Sequence, residues 1–296
     1  MLKLLPGFLT LLTSSFVLVI CSANAEPRSD EEKQETLIPL PATQLFDSLR
    51  ADPKEPRFFI SKLSVDSEAN NNTSIAAVGF GEHFGFIRRQ TEPQQGWQAG
   101  LSAAVFAQFN LDTPSDDLIN ADYIVGIPVT WRQGDWSGRT RIYHQSSHLG
   151  DEYLLHQSPQ RINLSFEALE VMVARDFGSL RIYGGGENIF SHEPADLGEK
   201  IIHVGVDWNG REDAFRIGQV GAARWVAGVD AKRWEQNDWK LQLSVKAGLE
   251  FAPQHKSNMV NRRWSLLLEY YDGPSPYGQF YTNDVSYWGM SLQLGL

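Results

Sequence analysis

The chain of 296 residues has one cysteine, Cys21, and no surplus of positive charge: 26 Lys and Arg stand against 36 Asp and Glu, a formal net charge of −10. With a single thiol no disulfide can form within the chain. An exported form must therefore be held by burial or by a closed hydrogen-bond ladder. The acidic balance excludes the clustered Lys/Arg surface that phosphate neutralisation demands, so nucleic acid is not an expected partner. Past residue 25 there is no run of about 18 apolar residues, and no membrane-spanning helix is expected. Long helical periodicity is also missing from Phe58 onward. A barrel in a membrane survives every one of these exclusions, because its strands alternate and never look apolar on average.

Residues 1–25 have the layout of a signal peptide. Lys3 supplies the positive start, Phe8 to Ile20 the apolar core, and Ala23-Asn24-Ala25 a small-x-small cleavage site. Ile20 is too bulky for the position before a lipidated cysteine, so cleavage after Ala25 is expected in place of lipidation at Cys21. Residues 26–56 read as a polar N-terminal linker broken by Pro27, Pro39, Pro41, Pro53 and Pro56. Leu45, Phe46 and Leu49, at helical spacing, predict a short helix over Thr43 to Arg50. Residues 57–296 remain for one folded domain.

That domain alternates. In 97–111 one face carries Trp97, Ala99, Leu101, Ala103 and Val105, and the other Gln98, Gly100, Ser102, Gln108 and Asn110. Residues 123–132, 239–251, 264–270 and 288–296 repeat the pattern. Segments of ten or more residues with one apolar and one polar face predict an all-β fold: a single transmembrane antiparallel β-barrel of outer-membrane type, with about twelve strands, ten also fitting. The strands are expected near 57–65, 75–90, 97–111, 121–132, 136–147, 162–176, 179–187, 200–208, 215–234, 239–251, 262–272 and 285–296. Short turns at 133–135 and 177–179 then fall at one end and long loops at the other. Tryptophans near strand ends, among them Trp131, Trp136, Trp234 and Trp239, predict aromatic girdles at both interfaces. Between Phe166 and Leu169 the apolar phase slips by one, which reads as a bulge.

The polar face holds charges of both signs, including Arg139, Arg141, Arg181, Asp207, Asp230, Lys232, Lys246 and Glu269. Arg224, Lys240, Glu250 and Arg263 share that face. Enclosed together they predict a paired, filled interior instead of a pore with one selectivity. Asp112, Asp116, Asp117 and Asp122 make one outer loop acidic, which argues against direct capture of anionic lipid there.

The segment best placed for chemistry is Tyr143-His-Gln-Ser-Ser-His-Leu-Gly-Asp-Glu152. Parity sets His144 and Ser146 together on the lipid-facing surface, near the outer end of a strand. An imidazole beside a hydroxyl is what nucleophilic acyl chemistry requires. The same string, with Tyr271-Asp-Gly-Pro-Ser-Pro-Tyr-Gly-Gln-Phe280, resembles an exported bacterial outer-membrane family classified only as a domain of unknown function. That resemblance implies a barrel and no activity. Locally, His144-x-Ser146 resembles the His-x-Ser pair of outer-membrane phospholipase A and the lipid A deacylases, which carry it on the outer face of a strand near the outer leaflet. Those enzymes place an Asn or Glu one hairpin away to orient the histidine. Here the register points Asn163 and Glu167 inward, leaving Asp151 or Glu152, in the loop, to fold back. The candidate catalytic set is accordingly His144, Ser146 and Glu152.

No cofactor is expected. His144, His148, Asp151, Glu152 and His156 carry donors that suit zinc or calcium, but their spacing matches no recognised ligand pattern. The sequence therefore points to an outer-membrane barrel whose partner is membrane lipid. Its expected role is structural or that of a narrow pore, with a lipid-directed ester hydrolase using Ser146 and His144 as the alternative.

Overall fold

Period-two alternation becomes strand at nearly every place it predicts. The computed structural model describes residues 35–67, 72–159, 161–217, 221–253 and 263–295. The expected signal peptide and the start of the linker lie outside them. The strands are β1 (Thr36–Pro39), β2 (Phe58–Ser67), β3 (Thr73–Glu92), β4 (Gln95–Asn110), β5 (Asp117–Gln133), β6 (Trp136–Leu149), β7 (Leu164–Phe177), β8 (Leu180–Glu193), β9 (Lys200–Asn209), β10 (Phe215–Ile217), β11 (Gly221–Trp234), β12 (Leu241–Pro253), β13 (Arg263–Pro274) and β14 (Asp284–Gly295). Twelve of them, all but β1 and β10, form a closed antiparallel ring in which β14 pairs with β2. Closure gives each ring strand a neighbour on both sides, as a bilayer requires. The strand expected over 215–234 is instead two: β10 pairs antiparallel with β11, Phe215 opposite Ala223.

At the turn end, Gly134 and Gly178 take left-handed backbone, φ +58° and +69°, which a side chain would resist. The loop end carries the longer connections, including helix α1 (Asp151–Gln157) and a single helical turn at Gly278–Phe280. The outer surface is apolar, with Val125, Ile127, Ile142, Val171, Leu268 and Met290 all exposed. The girdles are unequal. Trp97, Trp131, Trp136, Trp208, Trp225 and Trp264 stand exposed toward the turn end, whereas Trp288 sits in the loop-side half of β14. Trp234 is not part of a girdle. It is buried in the lumen and donates its indole N–H to Gly198 O at 2.7 Å.

The lumen is filled from both ends. Thr43–Arg50 forms no helix; residues 40–57 are bends and turns folded inside the ring. Leu45, Phe46 and Leu49, which suggested an amphipathic helix, are instead buried by the barrel wall, Phe46 and Leu49 in a cluster with Met172, Ala174 and Tyr183. Burying such side chains is worth about 1.5–3 kcal/mol each, more than a two-turn helix could return alone. The charged residues of the same segment meet wall charges. Lys232 reaches both oxygens of Asp52 at 3.0 Å, and Arg139 bonds Glu55 at 2.6 and 3.0 Å. Wall pairs add to these, with Arg139–Glu170 and Arg141–Glu170 at 2.7 Å, Lys246–Glu269 at 3.1 Å and Arg181–Asp207 at 3.5 Å. Arg224, Lys240 and Arg263 are exposed and lie outside this buried set.

From the loop end, residues 275–281 turn inward. Gln279 donates to the carbonyls of Ser147 at 2.8 Å and Ile162 at 2.9 Å. A Cβ on Gly278 would meet Ser147 Cβ at 2.7 Å, so only glycine allows the loop to lie this close to β6. The two fillings meet at Asp122, expected in an acidic loop but fully buried on β5. Its carboxylate accepts from Lys54, from Ser147 Oγ, from Asn120 at 3.2 Å and from the Gly278 backbone at 3.0 Å. With the lumen so occupied, the intact chain is expected to be electrically silent in a planar bilayer. Steady conductance steps across salts and voltages would refute the filled interior.

Candidate functional site

The hairpin of β6 and β7 presents a polar patch on the outside of the barrel. Along β6, Arg141, Tyr143, Gln145 and Ser147 are buried in the lumen, so Ile142, His144 and Ser146 face out. Along β7, Phe166, Ala168 and Glu170 are buried, so Ser165 and Glu167 face out. The register sets His144 opposite Glu167 and Ser146 opposite Ser165. His144 Nδ1 lies 2.9 Å from Glu167 Oε1, each side chain 39% exposed. On the far side of Glu167, β8 brings Ser191 into register. Val125, the β5 partner of His144, and Ile142 are exposed apolar residues, so the pair borders the apolar band. Tyr123, the β5 partner of Ser146, packs edge-on against His148 with ring centroids 5.8 Å apart.

His144 and Ser146 therefore stand where parity placed them, and the acid does not. Glu152 is exposed in α1, as is Asp151, and His144 pairs with neither. Glu167 points outward, not inward. The error has a physical source. Near the loop end the lumen is lined by rings, with Phe166 centred 6.0 Å from Tyr143 and 6.5 Å from Trp234. An apolar residue there faces in, so the rule that apolar means lipid-facing inverts. The bulge exists, between Glu167 and Ala168, but in the β7–β8 pairing, with Phe190 as the extra residue. The β6–β7 register runs unbroken, and the faces of β7 never exchange.

A carboxylate on Nδ1 fixes the histidine tautomer and leaves Nε2 as a proton acceptor. Ser146, two residues along the same face, lies about 6.6 Å away along the strand, at about 3.3 Å per residue. A base, its orienting acid and a hydroxyl thus share one face at the edge of the apolar band. The metal donors do not assemble. His156 Nδ1 is 2.6 Å from Asp117, His144 is with Glu167, and His148 is against Tyr123. Among the described residues no group of three or more His, Cys, Asp or Glu is arranged to hold a metal ion.

Residues 29–296 match the family model described as "Protein of unknown function (DUF1207)". The chain belongs to the DUF1207 family. No curated protein matches it in sequence. This DUF1207 barrel is similar to the outer membrane phospholipase dimer of Salmonella typhi solved with bound calcium, at 11% identity and TM-score 0.54, over 84% of this chain and 94% of that one. It is also similar to outer membrane phospholipase A from Escherichia coli, at 12% identity and TM-score 0.51, over 84% and 95% of the two chains. At such identities the likeness establishes the fold. The DUF1207 chain is an outer-membrane-type barrel.

Proposed function

We propose that this chain resides in the outer membrane and hydrolyses acyl esters of membrane lipids, with Ser146 as nucleophile, His144 as base and Glu167 as the acid that orients it. One observation carries this assignment: the 2.9 Å His144–Glu167 contact on the lipid-facing surface, with Ser146 on the same face. A purely structural barrel has no need of an imidazole–carboxylate pair bordering acyl chains, where burying unsatisfied polar groups is unfavourable. The filled lumen argues against the alternative of an open pore.

In the proposed reaction Ser146 Oγ attacks the ester carbonyl while its proton passes to His144 Nε2. Glu167 steadies the imidazolium through Nδ1–H. Collapse of the tetrahedral intermediate breaks the ester C–O bond, and His144 returns the proton to the leaving alcohol. Water, activated by the same histidine, then releases the fatty acid from Ser146.

The test is fatty-acid release from phospholipid and lipid A vesicles by the refolded barrel. Ser146→Ala and His144→Ala should each abolish release. Undiminished release by either variant, or no release by the parent chain with and without calcium, would remove the proposal.

A further inference from the structure

Ester hydrolysis at Ser146 needs more than a nucleophile and a base. As Ser146 Oγ bonds to the carbonyl carbon, the π electrons move onto the carbonyl oxygen, and hydrogen-bond donors must meet the charge that develops there. Main-chain N–H groups often supply them. Here they are engaged elsewhere. From His144 to Ser147, β6 runs in unbroken antiparallel register with β5 on one side and β7 on the other, so the N–H groups around Ser146 belong to the ladders of the wall.

The donors must therefore be side chains on the outward face. Besides His144, three flank Ser146 there: Tyr123 opposite it on β5, Ser165 opposite it on β7, and the exposed His148 two residues along β6. Directly opposed residues keep their Cβ atoms about 5 Å apart, and His148 lies about 6.6 Å toward the loop end, at about 3.3 Å per residue.

The two sides of Ser146 differ in charge. Ser165 has Glu193 opposite it on β8 and Glu167 two residues along its own strand. An oxygen gaining negative charge on that side would approach two carboxylates. Toward β5 the neighbours are uncharged: Tyr123 has Val105 opposite it on β4 and Val125 next on its own outward face. The edge-on contact of Tyr123 with His148, centroids 5.8 Å apart, sets the two rings together on the side of Ser146 away from His144. Neither the Tyr123 hydroxyl nor a ring N–H of His148 has a hydrogen-bond partner among the described residues. Both can donate, since even a neutral imidazole keeps one N–H.

We infer that the Tyr123 hydroxyl and a ring N–H of His148 form the oxyanion site, donating to the ester oxygen on the side of Ser146 opposite its base. This assignment rests on the esterase reading above. It points the carbonyl oxygen toward β5 and the leaving alcohol toward His144, which must protonate it.

The test is the kinetics of fatty-acid release from phospholipid vesicles by the refolded barrel. Tyr123→Phe, which keeps the ring and its packing, should lower kcat about 10²-fold with KM nearly unchanged, the scale of losing one such donor. His148→Leu should do the same, and His148→Gln, whose amide keeps an N–H, should recover at least tenfold of that loss. A second measurement uses a fluorophosphonate, which forms an Oγ–P bond at Ser146 with loss of fluoride and puts a phosphoryl oxygen where the ester oxygen would stand. Tyr123→Phe should slow this labelling at least tenfold, read by mass spectrometry of the Ser146 peptide. An unchanged kcat in either Tyr123→Phe or His148→Leu, a change confined to KM, or undiminished labelling of Tyr123→Phe would overturn the inference, while release by the parent chain would keep the esterase in place. No release by the parent would remove both.

Discussion

Glu167→Ala should lower kcat for ester release by about 10³-fold and leave KM nearly unchanged, the scale expected when a triad loses the group that orients its base. The carboxylate touches His144, not the ester, so its removal acts on the transition state, where the imidazolium forms. Glu167→Gln should lose far less. Its amide oxygen can still accept from Nδ1–H across the 2.9 Å contact, keeping the tautomer while giving up the charge. Glu152→Gln and Asp151→Asn, exposed in α1, should leave the rate alone. The ordering Ala far below Gln, with α1 silent, identifies the orienting acid. A Glu167→Ala barrel that kept its parent's rate would show that the contact is an ordinary surface pair.

Arg139→Met should destabilise the barrel by about 3–5 kcal/mol in urea unfolding from lipid vesicles followed by tryptophan fluorescence. Arg139 is buried and bonds two buried carboxylates, Glu55 of the lumen segment and Glu170 of the wall. Its loss leaves Glu55 with only His83, at 3.1 Å, and Glu170 with only Arg141. Combining Arg139→Met with Glu55→Gln should recover most of the loss, because Glu170 keeps its pair with Arg141 and the main penalty is the uncompensated charge and not the missing bond. By contrast Arg89→Met, which breaks a half-exposed pair with Glu35, should change stability by less than about 1 kcal/mol. A single Arg139→Met variant as stable as its parent would mean that the lumen segment is not held through this network.

Almost the whole wall was legible as one-dimensional pattern. Strand parity is local: once β6 is extended, Tyr143, Gln145 and Ser147 must share one face and His144 and Ser146 the other, whatever surrounds them. Twelve alternating segments with short turns at one end left a closed ring as the arrangement without free edges. What the lumen contains was not legible in the same way. Thr43–Arg50 carries helical spacing, and the feature that overrides it is a barrel wall built from residues up to two hundred positions away, such as Lys232 and Glu250.

The amino-acid sequence by itself determined most of the strands, the two faces of β6 and the placing of His144 and Ser146 on one of them, because a two-residue repeat needs no distant partner to specify it. Only the tertiary structure decided that residues 40–57 enter the lumen, that Asp122 joins them to the outer loop, and that Glu167 meets His144. Each of those depends on what occupies the enclosed space, and near the loop end that space is lined with rings, so hydrophobicity no longer tells the inside of the barrel from the outside.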